Sequence, residues 1–370
     1  MKPLLLATLL AVTALAADED GFVPLFNGRD LKGWVNANCA PETWSVTNGM
    51  IHCTGHPTGA MRTERQYENF ILEVDWHFLE SGGNSGVFIW GTPIAAPGVP
   101  FLRGIEVQVL DHGFNVPGKN QWYTTHGDVF PIHGAKMKPF GRHNGDRSFP
   151  SEERSKGFPE WNHYRIVCTN GVIRLSVNGK EVSGGEDCNY RKGYLALESE
   201  GAGVEFKNIR IKELPSSNPP AELCAPVDEG FRAIFSGLDF RGWKTNADTV
   251  ERWTVSDNHI RLKSSGDKPN TTLWTEKLYG NAEFIIDVQR PKGATNNAPA
   301  VDIRGVTIPL DAPLGAWTRF QISARGKKLS LKSTGKEPQT FAIPDNDRRG
   351  PLGLRDTGGS AEFMNIYAHE

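Results

Sequence analysis

Between Trp90 and Trp161 the chain concentrates side chains that can move protons or hold sugars and ions: Arg103, Glu106, Gln108, Asp111, His112, Trp122, His126, Asp128, His133, Lys136 and His143. Four of the ten histidines fall in this stretch, so acid–base chemistry near neutral pH is the first expectation. Arg103-Gly104-Ile105-Glu106-Val107-Gln108-Val109-Leu110-Asp111 alternates as a strand does. Glu106 and Gln108 then share one face with Gly104, while Ile105, Val107 and Val109 share the other. Two polar side chains on a strand that otherwise looks buried are costly to hide. Their face either lines a cleft or is the solvated side of an antiparallel sheet. Asp111-His112 at the strand end and His126-Gly127-Asp128 in the following loop each set a carboxylate beside an imidazole, the pair that proton transfer uses. The bland alternative for a loop histidine is simple exposure. No H-x-x-x-H or H-x-H spacing marks a transition-metal site. The residues specify no cofactor; a divalent cation, calcium on carboxylates and carbonyls as readily as a transition metal, is the one this residue set allows.

The elements that must position these groups come from a repeat. Phe22-Val23-Pro24-Leu25-Phe26-Asn27-Gly28-Arg29-Asp30-Leu31-Lys32-Gly33-Trp34 recurs as Phe231-Arg232-Ala233-Ile234-Phe235-Ser236-Gly237-Leu238-Asp239-Phe240-Arg241-Gly242-Trp243. Trp44-Ser45-Val46 returns as Trp253-Thr254-Val255, and Tyr67, Asn69, Val74 and Asp75 return as Tyr279, Asn281, Ile286 and Asp287. Trp161 to Ile166 matches Trp317 to Ile322, and Glu205-Phe206-Lys207-Asn208-Ile209 matches Glu362-Phe363-Met364-Asn365-Ile366. Two units of one type follow, expected at residues 20–214 and 226–370. The Pro- and Ser-rich stretch in 215–225 has a linker composition. The copies differ most at one place: Trp90 is far from Trp161, whereas Val306 is followed almost at once by Trp317. A long excursion on a compact scaffold is usually functional. The second copy has only His259 and His369 and no Glu-x-Gln strand, so a structural or binding role is expected of it.

Runs such as Phe70 to Phe78, His163 to Cys168 and Ile173 to Val177 alternate apolar and polar residues, with Asn170-Gly171 and Asn178-Gly179 as hairpin turns between runs. With 40 Gly, 24 Pro, 10 Trp and 19 Phe in 370 residues, many short strands are favoured over a helical bundle or doubly wound fold. The fold class is all-β, as sandwiches or jelly rolls. A net charge of −2 and the lack of basic runs interleaved with aromatics leave no nucleic-acid partner. Met1-Lys2-Pro3, the apolar run Leu4 to Leu15 and the small Ala14, Ala16 and Ala17 have the form of a signal peptide over residues 1–17. Export to the periplasm or beyond is therefore expected, with no transmembrane anchor. Export permits disulfides; Cys39 with Cys53 and Cys168 with Cys188 are local candidates, free buried thiols the equal alternative, and Cys224 is odd.

Leu25 to Trp34, Gly82-Gly83-Asn84-Ser85-Gly86-Val87-Phe88, Gly104 to Asp111, Trp161 to Ile166 and Asn178-Gly179-Lys180 together resemble the bacterial 3-keto-disaccharide hydrolase family. The resemblance spans about residues 22–213 and the second copy keeps only the framework. It implies tandem concanavalin-like jelly rolls, the second degenerate, in an exported bacterial protein. The implied activity is hydrolysis of 3-keto-glycosides by C2 deprotonation, elimination and hydration, with an oxidised carbohydrate as partner. On that footing Glu106, His112 or His126 supplies acid or base. Asn84, Arg103, Gln108, Asp111 and Lys136 bind sugar oxygens or the enolate, and Trp90 or Trp122 stacks on a ring.

Two rivals share the fold. A laminarinase-like glycosidase needs Glu-x-Asp-x-x-Glu on one strand; Glu73-Val74-Asp75 begins it, but Phe78 and Leu79 stand where the last carboxylate belongs. A carbohydrate-binding protein without turnover is the stronger rival, since jelly rolls serve both purposes.

Overall fold

The computed structural model describes residues 20–115, 122–263, 271–294, 297–344 and 349–370. The expected leader, residues 1–17, lies outside the described residues. Nearly all regular structure is strand, arranged as four antiparallel sheets, so the all-β class holds. Among the described residues no helix is long and apolar enough to cross a membrane.

In the first half, one sheet runs Lys138–Pro139, Lys180–Glu186, Val172–Val177, Asn162–Thr169, Phe70–Phe78, Val204–Glu213, Met50–Cys53, Trp44–Thr47. The sheet facing it runs His143–Asn144, Arg147–Ser148, Val129–Ile132, Gly104–Leu110, Asn84–Gly91, Tyr194–Ser199, Gly59–Thr63, Trp34–Asn36. The alternation read in the sequence sets the layers: Asn162–Thr169 alternates buried and half-buried along its whole length. Both residues of Asn170-Gly171 and of Asn178-Gly179 have positive φ, as a two-residue hairpin turn requires. Between the sheets lie Trp76, Phe78, Val107, Tyr164 and Ile166, with Trp76 edge-on to Tyr164 at 5.3 Å. Full burial of each large apolar side chain contributes roughly 1.5–3 kcal/mol. All five cysteines are free thiols, so the local staples are not formed.

The second half repeats this plan. Its larger sheet runs Gln339–Ala342, Lys328–Ser333, Thr318–Arg325, Ala282–Gln289, Ala361–His369, His259–Leu262, Trp253–Ser256, and its smaller one Val306–Pro309, Ala300–Ile303, Leu352–Arg355, Thr272–Thr275, Trp243–Lys244. Missing from its described residues are counterparts of Val129–Ile132, Lys138–Pro139, His143–Asn144 and Arg147–Ser148. All four come from the excursion between Trp90 and Trp161, which therefore widens both sheets of the first sandwich at one edge. The stretch of linker composition is fastened rather than free: Ser217 N donates to Glu68 Oε1 at 2.6 Å, Asn69 Nδ2 to Pro215 O at 2.8 Å and Arg191 N to Leu223 O at 2.7 Å.

Candidate functional site

The strand Gly104–Leu110 is buried along its whole length, inside its sheet between Asn84–Gly91 and Val129–Ile132, so its Glu106 face is not the solvated side of an antiparallel sheet. Phe88 pairs with Glu106 and Gly86 with Gln108 on one side, and Glu106 pairs with Phe130 on the other. Ile105, Val107 and Val109 point into the core. The opposite face carries Glu106 and Gln108, as the alternation predicts, and beside them stand Asn84, Gly86, Phe88, Ala196 and Glu198 from the next two strands. Glu200 bridges Asn84 just past the end of Tyr194–Ser199.

Gly86 lies between two carboxylates. A Cβ placed on it would stand 2.9 Å from Glu198 Oε2 and 3.1 Å from Glu106 Oε1, so only glycine leaves room for them to converge. Glu198 Oε2 is buried and has no hydrogen-bond partner in the structure. Burial, then the Glu200 carboxylate, pushes Glu106 up to about 8; Arg147 opposes the rise and Asp128 adds to it. Burial, then Asp257 from the second half, raises Glu200 to about 7. Burial, then Glu106 and Glu200, holds Glu198 well above the ordinary carboxylate range. These carboxyl groups thus hold protons at a pH where exposed carboxylates have lost them.

A polar chain fixes the rest of this face. Asn84 Nδ2 donates to Glu200 Oε2 at 2.6 Å, Gln108 Nε2 donates to Asn84 Oδ1 at 2.9 Å, and Arg147 Nη1 donates to Gln108 Oε1 at 3.2 Å and Asp128 Oδ2 at 3.1 Å. Thr124 N donates to the same Asp128 oxygen at 2.8 Å. The Arg147 guanidinium lies 3.3 Å from the Phe130 ring centroid and 4.9 Å from that of Trp122. Trp122 is 45% exposed, an aromatic rim beside a positive charge.

Asn84, Glu106, Gln108 and Trp122, all expected from the sequence, are therefore brought together. His112 and His126 form a separate pair. His112 Nε2 and His126 Nδ1 each lie 3.0 Å from Ser155 Oγ, whose hydroxyl donates to Thr125 O at 2.9 Å. One hydroxyl has one proton, so both imidazoles donate to it. Burial keeps His126 below its ordinary range, with Glu153 pulling the other way; its Nε2 is 3.6 Å from Glu153.

Four expected residues stand apart. Trp90 is fully buried, packs edge-on against Phe70 and donates Nε1–H to Glu68 O, so it offers no ring to a sugar. Asp111 is 2% exposed and spends its carboxylate on Gly82 N, Gly113 N, Phe158 N and the Ser81 hydroxyl, tying loops together. Arg103 bonds the Tyr190 hydroxyl at 2.6 Å and lines a cavity of about 320 Å³ shared with the second half. Lys136 is exposed, with its backbone N on Asn189. Sequence reasoning missed Arg147, Glu198 and Glu200. Among the described residues no three His, Cys, Asp or Glu side chains converge to hold a metal ion.

Residues 21–212 match the model of a family described as the 3-keto-alpha-glucoside-1,2-lyase-like domain. A 3-keto-disaccharide hydrolase of Bacteroides thetaiotaomicron is 22% identical over 256 residues, 54% of this chain and 81% of that protein. Among solved structures, a candidate glycosyl hydrolase of Parabacteroides distasonis ATCC 8503 is 22% identical, covering 54% of this chain and 99% of its own, with a TM-score of 0.43. Carbohydrate-binding module CBM66 of Bacillus subtilis is 14% identical, covering 50% and 97%, with a TM-score of 0.36.

Proposed function

Because the chain belongs to the 3-keto-alpha-glucoside-1,2-lyase-like family, we propose that its Glu106 face cleaves glycosidic bonds in sugars that carry a ketone at C3. The observation that carries this reading is the convergence of Glu106 and Glu198 over Gly86, with Glu200 held beside them by Asn84. A C3 ketone acidifies the C2 proton, so elimination across C1–C2 needs a base for that proton, a positive group for the enolate oxygen and an acid for the departing oxygen. Burial raises both carboxyl groups, and their mutual repulsion favours the state in which one is protonated and the other ionised, so the two can divide the first and last tasks. Glu200, held by Asn84, takes the C2 proton, and Glu106 gives its own to the glycosidic oxygen as the C1–O bond breaks. Arg147, anchored by Asp128, faces the enolate oxygen. The Glu106 carboxylate then deprotonates a water that adds to C1, Glu200 returns its proton to C2, and the net change is hydrolysis. Gln108 and Asn84 keep the carboxylates in register, and Trp122 stacks on the sugar. His112 and His126 hold the turn that presents Asp128.

The chemistry belongs to residues 20–214. The second jelly roll, residues 226–370 beyond the 215–225 linker, lacks the excursion, and on its smaller sheet Arg355 pairs with Asp302; its role is structural. A signal peptide and export to the periplasm remain part of the proposal.

Glu106→Gln tests the assignment. It is expected to abolish product release from a 3-keto-glucoside while leaving sugar affinity largely intact. Wild-type protein that releases nothing from any 3-keto-glycoside, yet binds plain glycans, would make this a carbohydrate-binding protein without turnover.

A further inference from the structure

The outer face of the larger sheet carries the same construction in both halves. In the second half Asp287 pairs across strands with Arg319. Arg319 Nε donates to Asp287 Oδ1 at 2.7 Å, and Asn365 Nδ2 to Asp287 Oδ2 at 2.8 Å. Asn365 adopts φ 48° where the pairing of its strand with Ala282–Gln289 slips. In the first half Asp75 pairs with His163. His163 Nδ1 lies 2.6 Å from Asp75 Oδ1, Asn208 Nδ2 donates to Asp75 Oδ2 at 2.6 Å, and Asn208 has φ 51° at a matching slip. A bulge asparagine in the left-handed region, aimed at a strand carboxylate, has thus been kept in both copies.

The second-half construction is visibly occupied. It grips residues 95–99 of the first half by their backbone: Gly98 N donates to Asp287 Oδ2 at 2.9 Å, while Ala95 O accepts from Arg319 Nη2 at 2.8 Å and Val99 O from Asn365 Nδ2 at 2.8 Å. One carboxylate thus takes an N–H, and one cation and one amide serve three carbonyls, since Asn365 Nδ2 also donates to Ala96 O at 3.2 Å. The first-half construction borders an open cleft of about 460 Å³ that Asn27, Gly49, Glu73 and Arg210 help to line.

We propose that Asp75, His163 and Asn208 are a second backbone clamp, built to seat a glycine-containing loop of a partner protein as Asp287, Arg319 and Asn365 seat residues 95–99. The chemistry is the same except for the cation. Arg319 donates at every pH, whereas His163, with Nδ1–H committed to Asp75, has an Nε2–H for a carbonyl only when protonated. The hydrogen bond to Asp75 raises its proton affinity. The charged groups around it are Asp75 and Glu73 on one neighbouring strand, Lys207 and Arg210 beyond it, and Arg165 on its own. The clamp therefore closes more tightly at pH 6 than at pH 8. It rests on no part of the catalytic reading.

The probe is the capped peptide Ile-Ala-Ala-Pro-Gly-Val-Pro, the sequence of residues 94–100, titrated into the full chain while the His163 imidazole is followed by NMR. A saturable shift is expected at pH 6, several-fold weaker at pH 8, and lost in Asp75→Ala and Asn208→Ala. A peptide with N-methylglycine in place of glycine, in which a methyl group replaces the hydrogen donated to the carboxylate, should not bind the wild-type protein, which keeps the test independent of how the variants fold. No shift at about 10 mM peptide, the scale of a contact made by a few hydrogen bonds, would overturn the proposal. So would an equal shift with N-methylglycine, or one produced by methyl glucoside instead of the peptide. Self-association of the wild type that vanishes in Asp75→Ala would put a second copy of this chain in the cleft and remove the partner.

Discussion

Glu106 and Glu198 stand two strands apart and lean toward each other over Gly86, the residue between them that has no side chain to keep them separate. Ionising both in that setting is doubly opposed, by burial and by like charge, so the pair retains a proton that solvent alone would remove.

Gly86→Ala tests that relationship directly. A methyl group 2.9 Å from one carboxyl oxygen and 3.1 Å from the other must drive them apart in a packed sheet. A stability loss of about 1–3 kcal/mol is expected, with a larger proportional loss of kcat/KM, read by thermal unfolding and by turnover of a 3-keto-glucoside. Unchanged turnover would show that the close approach of Glu106 and Glu198 plays no part in the chemistry.

The pH dependence has a definite sign. Glu106 and Glu200 keep their protons to about 8 and about 7 in the folded chain, against 4.5 for an ordinary glutamate. Between those limits the folded chain binds more protons than the unfolded one, so stability falls as pH rises through the window. Turnover needs Glu200 ionised and Glu106 protonated, which gives a bell whose limbs belong to the pair and lie above the ordinary carboxylate range. Arg147→Ala removes the cation that opposes protonation of Glu106. The alkaline limb should then move to higher pH while kcat falls roughly a hundredfold. Arg147→Lys should keep the limb in place. A fixed limb in the alanine variant would separate Arg147 from Glu106.

Glu106 and Gln108 were legible because period-two alternation states which residues share a face, and Trp122 because an aromatic in a polar excursion has few structural uses. Glu198 and Glu200 were not, because their place beside Glu106 depends on Tyr194–Ser199 pairing with Asn84–Gly91, a long-range choice that no local pattern announces. Arg147 looked like one more charge in a turn-rich segment; the pairing of Ser148 with Val129 is what brings it over Phe130. Trp90 misled because alternation from Phe88 puts it on the site face, whereas φ 53° at Trp90, where the pairing with Tyr194 slips, turns the indole into the core. The repeat was the most transparent feature, since matched strands in the two halves reproduce one sheet order twice.

Trp122→Ala separates binding from chemistry. The ring is exposed and touches the site through Arg147, so it contributes equally to ground and transition states. KM should rise about tenfold with kcat within about twofold. A fall in kcat at constant KM would show instead that the indole acts on Arg147.

Asp287→Ala addresses how the second half supports the first. Asp287 is fully buried, accepts two hydrogen bonds from the largely buried Arg319 and one from Gly98 N. Removing it strands the guanidinium and frees residues 95–99, so a loss of about 3–5 kcal/mol is expected. The segment 92–103 leads into the strand that carries Glu106, and Gly98 is seated so closely that a Cβ would lie 2.5 Å from Trp317. Limited proteolysis should therefore cut within 92–103 in the variant and not in the wild type, with turnover falling in parallel. Full activity with a freely cleaved segment would confine the second half to stability alone.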